Sequence, residues 1–209
     1  MLGRLAFALA TLATSLAWAQ PYLGGSIGQA QYRNACAGAP AGITCESGDT
    51  AIRFFAGYSF TPHVGVELGY GTLGTVHAST GESIDLSAAD LSAIGSWPVG
   101  GRLSAQARLG VYRGTTTGRA ATTPDNTLPC PGAPPGGVPP LCPQPSPPPE
   151  RGWQGGSNTD VTYGLGLTYP TSETGMLRVE WQRFANFGGG NGAKFDTDLL
   201  SIGVLVNFR

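Results

Sequence analysis

A two-residue rhythm runs through most of this chain, and it limits the fold more than any other feature. Eight segments alternate apolar with polar or small residues: 22–30, 50–60, 64–74, 83–97, 102–114, 159–169, 176–187 and 197–208. Side chains of a β-strand point to opposite faces with period two, whereas a helical stripe needs a period of 3.6. Each segment is therefore predicted to be a strand with two unlike faces. One face carries residues such as Ile52, Phe54, Val66, Leu68, Leu91, Leu109, Leu165, Leu167, Val179, Ile202 and Val204, and none of the residues assigned to it is charged. The other carries Arg53, Glu67, Asp90, Arg108, Arg178 and Glu180 among Ser, Thr, Gln, Asn and many Gly.

The connections are sorted by length. Residues 61–63, 98–101 and 170–175 make tight, Pro-bearing turns, whereas 31–49, 75–82, 115–158 and 188–196 make longer loops. Short turns at one end and long loops at the other describe an up-and-down membrane barrel. The expected architecture is all-β, an eight-stranded antiparallel up-and-down transmembrane β-barrel. Composition agrees: only 12% of residues are charged and 33 of 209 are Gly, against about 25% charged in soluble domains. A net charge of −1 excludes the clustered cations of a nucleic-acid binder.

A lipid-facing Arg or Lys near mid-bilayer costs about 2–4 kcal/mol, so the six charges are expected to turn inward, three cations against three anions. Inward Gly24, Gly28, Gly57, Gly69, Gly71, Gly110, Gly164, Gly166 and Gly203 then leave room for long side chains. An eight-stranded barrel is only just wide enough to hold side chains, and this one is expected to be plugged by a polar core. A soluble lipocalin-like carrier would need the opposite arrangement, apolar inside and polar outside. Tyr58, Phe60, Trp97, Tyr169 and Phe208 fall at the short-turn end, where amphipathic rings favour headgroup level.

Residues 1–19 read as a signal peptide: Arg4, an apolar run at 5–16, then Ala17-Trp18-Ala19. Cleavage after Ala19 leaves a mature barrel of residues 20–209. The apolar run is shorter than the roughly 20 residues a spanning helix needs. Export favours disulfides among Cys36, Cys45, Cys130 and Cys142. Three pairings are possible, the two local loops being the simplest, and the spacings do not suit zinc.

The 115–158 loop holds 12 of the 17 prolines. That composition favours extended, semi-rigid conformations and builds no core. It reads either as an arm contacting other surfaces or as a tolerated insertion. The second is the simpler reading, because loop length costs little entropy and no docking motif stands out. No catalytic, cofactor or metal site is expected. His63 and His77 have no nucleophile at diagnostic spacing, the 188–192 glycine run lacks a phosphate-cradle Lys, and Glu67, Asp90 and Glu180 are balanced by Arg53, Arg108 and Arg178.

Tyr22-Leu23-Gly24-Gly25-Ser26-Ile27-Gly28, Ala56-Gly57-Tyr58, Val66-Glu67-Leu68-Gly69-Tyr70 and Arg178-Val179-Glu180-Trp181, in this order and spacing, resemble the small outer-membrane barrels of Gram-negative bacteria, the OmpA-like and OmpX-like transmembrane domains. The resemblance covers nearly all of the mature chain. It implies an outer-membrane location, contact with outer-membrane lipid and lipopolysaccharide, and a C-terminal signal read by the barrel-assembly machinery. Here that signal would be Phe208 with Val206, Val204, Ile202 and Leu200, displaced one residue by Arg209. No peptidoglycan-binding domain follows, so wall anchoring is not expected. The function implied is structural and surface-interacting, with loops able to meet a host or cell-surface ligand. A narrow porin-like channel and a lipid-modifying outer-membrane enzyme are the alternatives.

Overall fold

In the computed structural model, eight antiparallel strands close on themselves in chain order. They are β1 (Gln20–Arg33), β2 (Gly48–Ser59), β3 (Val64–His77), β4 (Ser83–Gly100), β5 (Leu103–Arg119), β6 (Gly156–Pro170), β7 (Gly175–Phe187) and β8 (Phe195–Asn207). The structure describes residues 20–33, 48–77, 83–119, 156–188 and 194–208. The expected leader, the four cysteines, Arg209 and the Pro-rich stretch at 120–155 lie outside the described residues. Among the described residues no helix is long and apolar enough to cross a membrane.

Closure leaves no free sheet edge among the described strands. β1 pairs with β2 on one side and with β8 on the other, from Tyr22↔Asn207 to Arg33↔Asp196. In lipid, where no water can satisfy a backbone N–H or C=O, a closed barrel is the only strand arrangement that can span. The short turns are tied locally: the Phe60 amide donates to the Val64 carbonyl at 3.0 Å. The Thr61 hydroxyl accepts from the amides of His63 and Val64.

The outer wall is apolar over a belt whose height matches a bilayer. Outward residues run 161, 163, 165, 167, 169 on β6 and 200, 202, 204, 206 on β8, continued by Phe208 just past its end, each a stretch of about nine residues, as a tilted strand requires. Leu165, Leu109, Phe54 and Val204 are each more than 60% exposed, which only a non-aqueous surrounding makes tolerable for so many large side chains.

The strands run to 18 residues in β4 and 17 in β5, longer than the belt requires, and the excess lies at the long-loop end. Residues 31–33, 75–77 and 115–119, expected to be loop, are strand. In this extension the faces exchange chemistry. Gln29, Gln31, Arg33, Arg113, Thr115 and Thr117 face out, while Tyr32, Leu73, Ile84, Leu86, Tyr112, Phe184, Phe187, Phe195 and Leu199 form a buried cluster inside. The expected wholly polar lumen therefore needs correcting: its upper part is apolar. Outside the belt the exterior solvent is water, so the hydrophobic driving force points inward as in any soluble barrel. Two irregularities fit the change of level. Gly74, at φ 95°, sits at a bulge between β3 and β4 that turns Val76 inward. Asn186, at φ 52°, sits at another between β7 and β8 and lets Phe187 enter the cluster.

An outward charge should be costly within the belt and cheap above it. Leu165→Arg is expected to lose about 2–4 kcal/mol of unfolding free energy in lipid vesicles. Gln29→Arg is expected to lose less than about 1 kcal/mol, near the interface value; urea titrations of the two variants provide the comparison.

Candidate functional site

Strand parity aims Arg53 (β2), Glu67 (β3), Asp90 (β4), Arg108 (β5), Arg178 and Glu180 (both β7) into the lumen at belt level. All six are buried, with 7% exposure or less. The structure brings them together in one cluster. Glu67 is its hub and is fully buried. Its Oε1 accepts from Arg53 Nη1 at 3.1 Å and Arg108 Nη2 at 2.5 Å. Its Oε2 accepts from Arg178 Nη1 at 2.7 Å and from the Tyr22 hydroxyl at 2.9 Å. Asp90 receives Arg53 through both Nε and Nη2 at 3.0–3.1 Å. It also accepts from Arg108 Nη1 at 3.2 Å and the Ser92 hydroxyl at 3.1 Å. Glu180 lies 2.6 Å from Arg108 Nε and 3.5 Å from Arg178 Nη1. Three cations thus meet three anions with no net charge.

The seating of these side chains follows a rule that the register makes visible. Each of the six stands directly across from a glycine on a neighbouring strand: Arg53↔Gly71, Glu67↔Gly57, Asp90↔Gly69, Arg108↔Gly164, Arg178↔Gly203 and Glu180↔Gly166. A Cβ on Gly69 would run into the Arg53 guanidinium, and one on Gly57 into the Tyr22 ring. Phe55 occupies the space beside the network, with the Arg178 guanidinium 4.5 Å and that of Arg53 5.3 Å from its ring centroid. Stacked guanidiniums keep their edges free for carboxylates while the ring face stabilises the charge.

Tyr22, Ser92 and Phe55 are partners that sequence reasoning missed. Their inward parity was legible, but which residue of one strand meets which of another depends on register. A second ionic group was missed for a different reason. Arg33, Arg183 and Asp198 lie on the outer parity at the top of the belt, with Arg33 Nε 2.5 Å and Arg183 Nε 2.6 Å from the Asp198 carboxylate. Arg183 also lies over the Trp181 ring at 5.5 Å. The outer parity is therefore free of charge only within the belt. His63 and His77 are apart from both groups; His63 Nδ1 is 3.0 Å from the Ser96 carbonyl oxygen in a short turn. Among the described residues no group of His, Cys, Asp and Glu could hold a metal ion. Val206, Val204, Ile202 and Leu200 along β8, and Phe208 just past its end, are all exposed on the outer wall.

Above the ionic layer the lumen is closed by stacked and edge-on rings. Tyr112 stacks on Phe187 at 5.5 Å and meets Phe184 edge-on at 5.2 Å, and its hydroxyl donates to the Ala185 carbonyl at 2.6 Å. From the ion-pair level to the long-loop end the axis is thus filled first by paired charge, then by hydrocarbon.

The family described as outer membrane protein beta-barrel domain matches residues 2–208. No curated protein matches the chain. Among solved structures, the barrel is similar to Neisserial surface protein A (NspA), with 15% identity, a TM-score of 0.54, and 90% of this chain and 97% of that one covered. It is also similar to the outer membrane protein OprG from Pseudomonas aeruginosa, with 13% identity, a TM-score of 0.53, and 92% and 97% covered. A major outer membrane protein from Thermus thermophilus gives 11% identity, a TM-score of 0.54, and 90% and 99% covered. At these identities the likeness concerns the fold.

Removing the hub charge should expose the cost of the cluster. Glu67→Gln leaves three cations facing two anions in a dry layer, and a buried charge that loses its partner costs about 3–5 kcal/mol. The expected outcome is a drop of that size in unfolding free energy, measured by tryptophan fluorescence during urea titration in lipid.

Proposed function

The chain belongs to the outer membrane protein β-barrel family, and on that premise we propose that it is a structural barrel, closed to solutes, whose loops form its outer surface. Proteins of this family lie in the bacterial outer membrane, and the apolar belt is the surface by which this chain would sit there. Outer-membrane lipid and lipopolysaccharide are its proposed surroundings, and β8 the strand offered to the barrel-assembly machinery.

One observation carries the closed reading: among the described residues, every lumenal charge at belt level is already engaged by another, beneath an aromatic cluster. A permeating ion would have to replace a carboxylate–guanidinium pair in a layer with little water, and breaking such a pair costs about 3–5 kcal/mol. It would then meet an apolar constriction, which opposes conduction by dewetting. The same pairing argues against an enzyme. A general acid or base must reach the proton it transfers, whereas Glu67, Asp90 and Glu180 each hold arginines. A purified barrel is accordingly expected to show no lipid A deacylation or acyl transfer.

Planar-bilayer recording tests the plug: the expected trace shows no unitary steps above leak. Steps that vanish in Arg108→Met or change with Glu67→Gln would instead assign a narrow channel. The Pro-rich loop is proposed to be a surface insertion that the barrel does not need. Deleting 120–150 should leave heat-modifiable gel migration intact; loss of binding to host-cell surfaces in that variant would make the loop an adhesin.

A further inference from the structure

The lumen is not filled evenly along its axis. Between the ionic layer and the short turns lies a cavity of about 200 Å³, room for about six waters at roughly 30 Å³ each. Arg178 forms its inner wall, Arg102 of the turn between β4 and β5 stands at its rim, and Ser96, Ser104, Gln106 and Asn207 contribute to the sides. The lining holds two guanidiniums and, among the described residues, no carboxylate. Its hydroxyl and amide groups add further donors.

Arg178 supplies a second, independent observation. Its Nη1 serves Glu67 and Glu180, but its Nε–H is buried without a hydrogen-bond partner among the described residues. A buried polar group left unpaired calls for an acceptor, and guanidinium N–H groups match oxyanions in geometry and charge. The charge of Arg178 is balanced by Glu67 and Glu180, so its contribution is a directed donor, while Arg102 adds positive charge at the mouth of a cleft with low-dielectric walls.

We infer that this vestibule is a binding site for a small oxyanion group, a carboxylate or a phosphoryl group, entering from the periplasmic side. Arg178 receives it at the inner wall and Arg102 at the rim, while Gln106 and Ser96 solvate its remaining oxygens. The site ends at the ionic layer, so it binds without conducting and stands or falls separately from the plug.

The test is NMR of the barrel in detergent micelles, following the Arg178 Nε–H and Gln106 side-chain resonances. Sodium phosphate or sodium acetate replaces sodium chloride at constant ionic strength. The expected result is a saturable shift of both resonances. Arg102→Gln, a change in an exposed turn, should weaken the apparent affinity about tenfold, as loss of one charge-assisted hydrogen bond does. A response to both anions assigns carboxylates and phosphates alike, and a response to phosphate alone assigns phosphoryl groups. The absence of a saturable shift, or a saturable shift that Arg102→Gln leaves unaltered, would overturn the inference.

Discussion

Lipid on the outside of a strand reverses the usual direction of burial, and everything else in this barrel follows from that reversal. Within the belt, apolar side chains face out and charge must be placed along the axis, because an ion against hydrocarbon costs too much. The axis of an eight-stranded barrel is narrow, so charges sent there lose most of their water. They become tolerable only by meeting one another, which is why three arginines converge on Glu67 while Asp90 and Glu180 balance them from the sides.

Convergence needs space, and glycine provides it. Every member of the ionic cluster faces a glycine across the ladder. A glycine within a strand weakens it intrinsically, yet here it lets a guanidinium or carboxylate lie flat against the opposite backbone. Local strand propensity is sacrificed for pairing inside. The aromatic neighbours follow the same geometry: Tyr22 lies over Gly57 and Phe55 over Gly24.

Above the belt the solvent outside is water again, and the strands behave as those of a soluble barrel. Tyr112, Phe184, Phe187 and Phe195 pack inward while Gln29, Gln31 and Arg33 face out. At the crossing from one regime to the other stand Arg33, Arg183 and Asp198 on the outer wall, beside Trp181. The lumen consequently has three levels: an apolar cap, an ionic layer and a donor-lined vestibule at the short turns.

Strand number, alternation, the sorting of turns and loops, and the inward parity of Arg53, Glu67, Asp90, Arg108, Arg178 and Glu180 were all legible in the chain before folding. They depend on period two and on local turn chemistry, which a single strand carries within itself. The strand extensions at 31–33 and 115–119 stayed hidden because their polar outer faces read like loop once the exterior becomes water. Folding in three dimensions was needed to make Glu67 the hub, to set each charge against a glycine, and to bring Arg33 to Asp198. It also placed rings at one end of the lumen and a cavity at the other. Those are properties of register and closure. A one-residue slip of a strand keeps its composition yet exchanges its faces, so no strand read alone can name its partners.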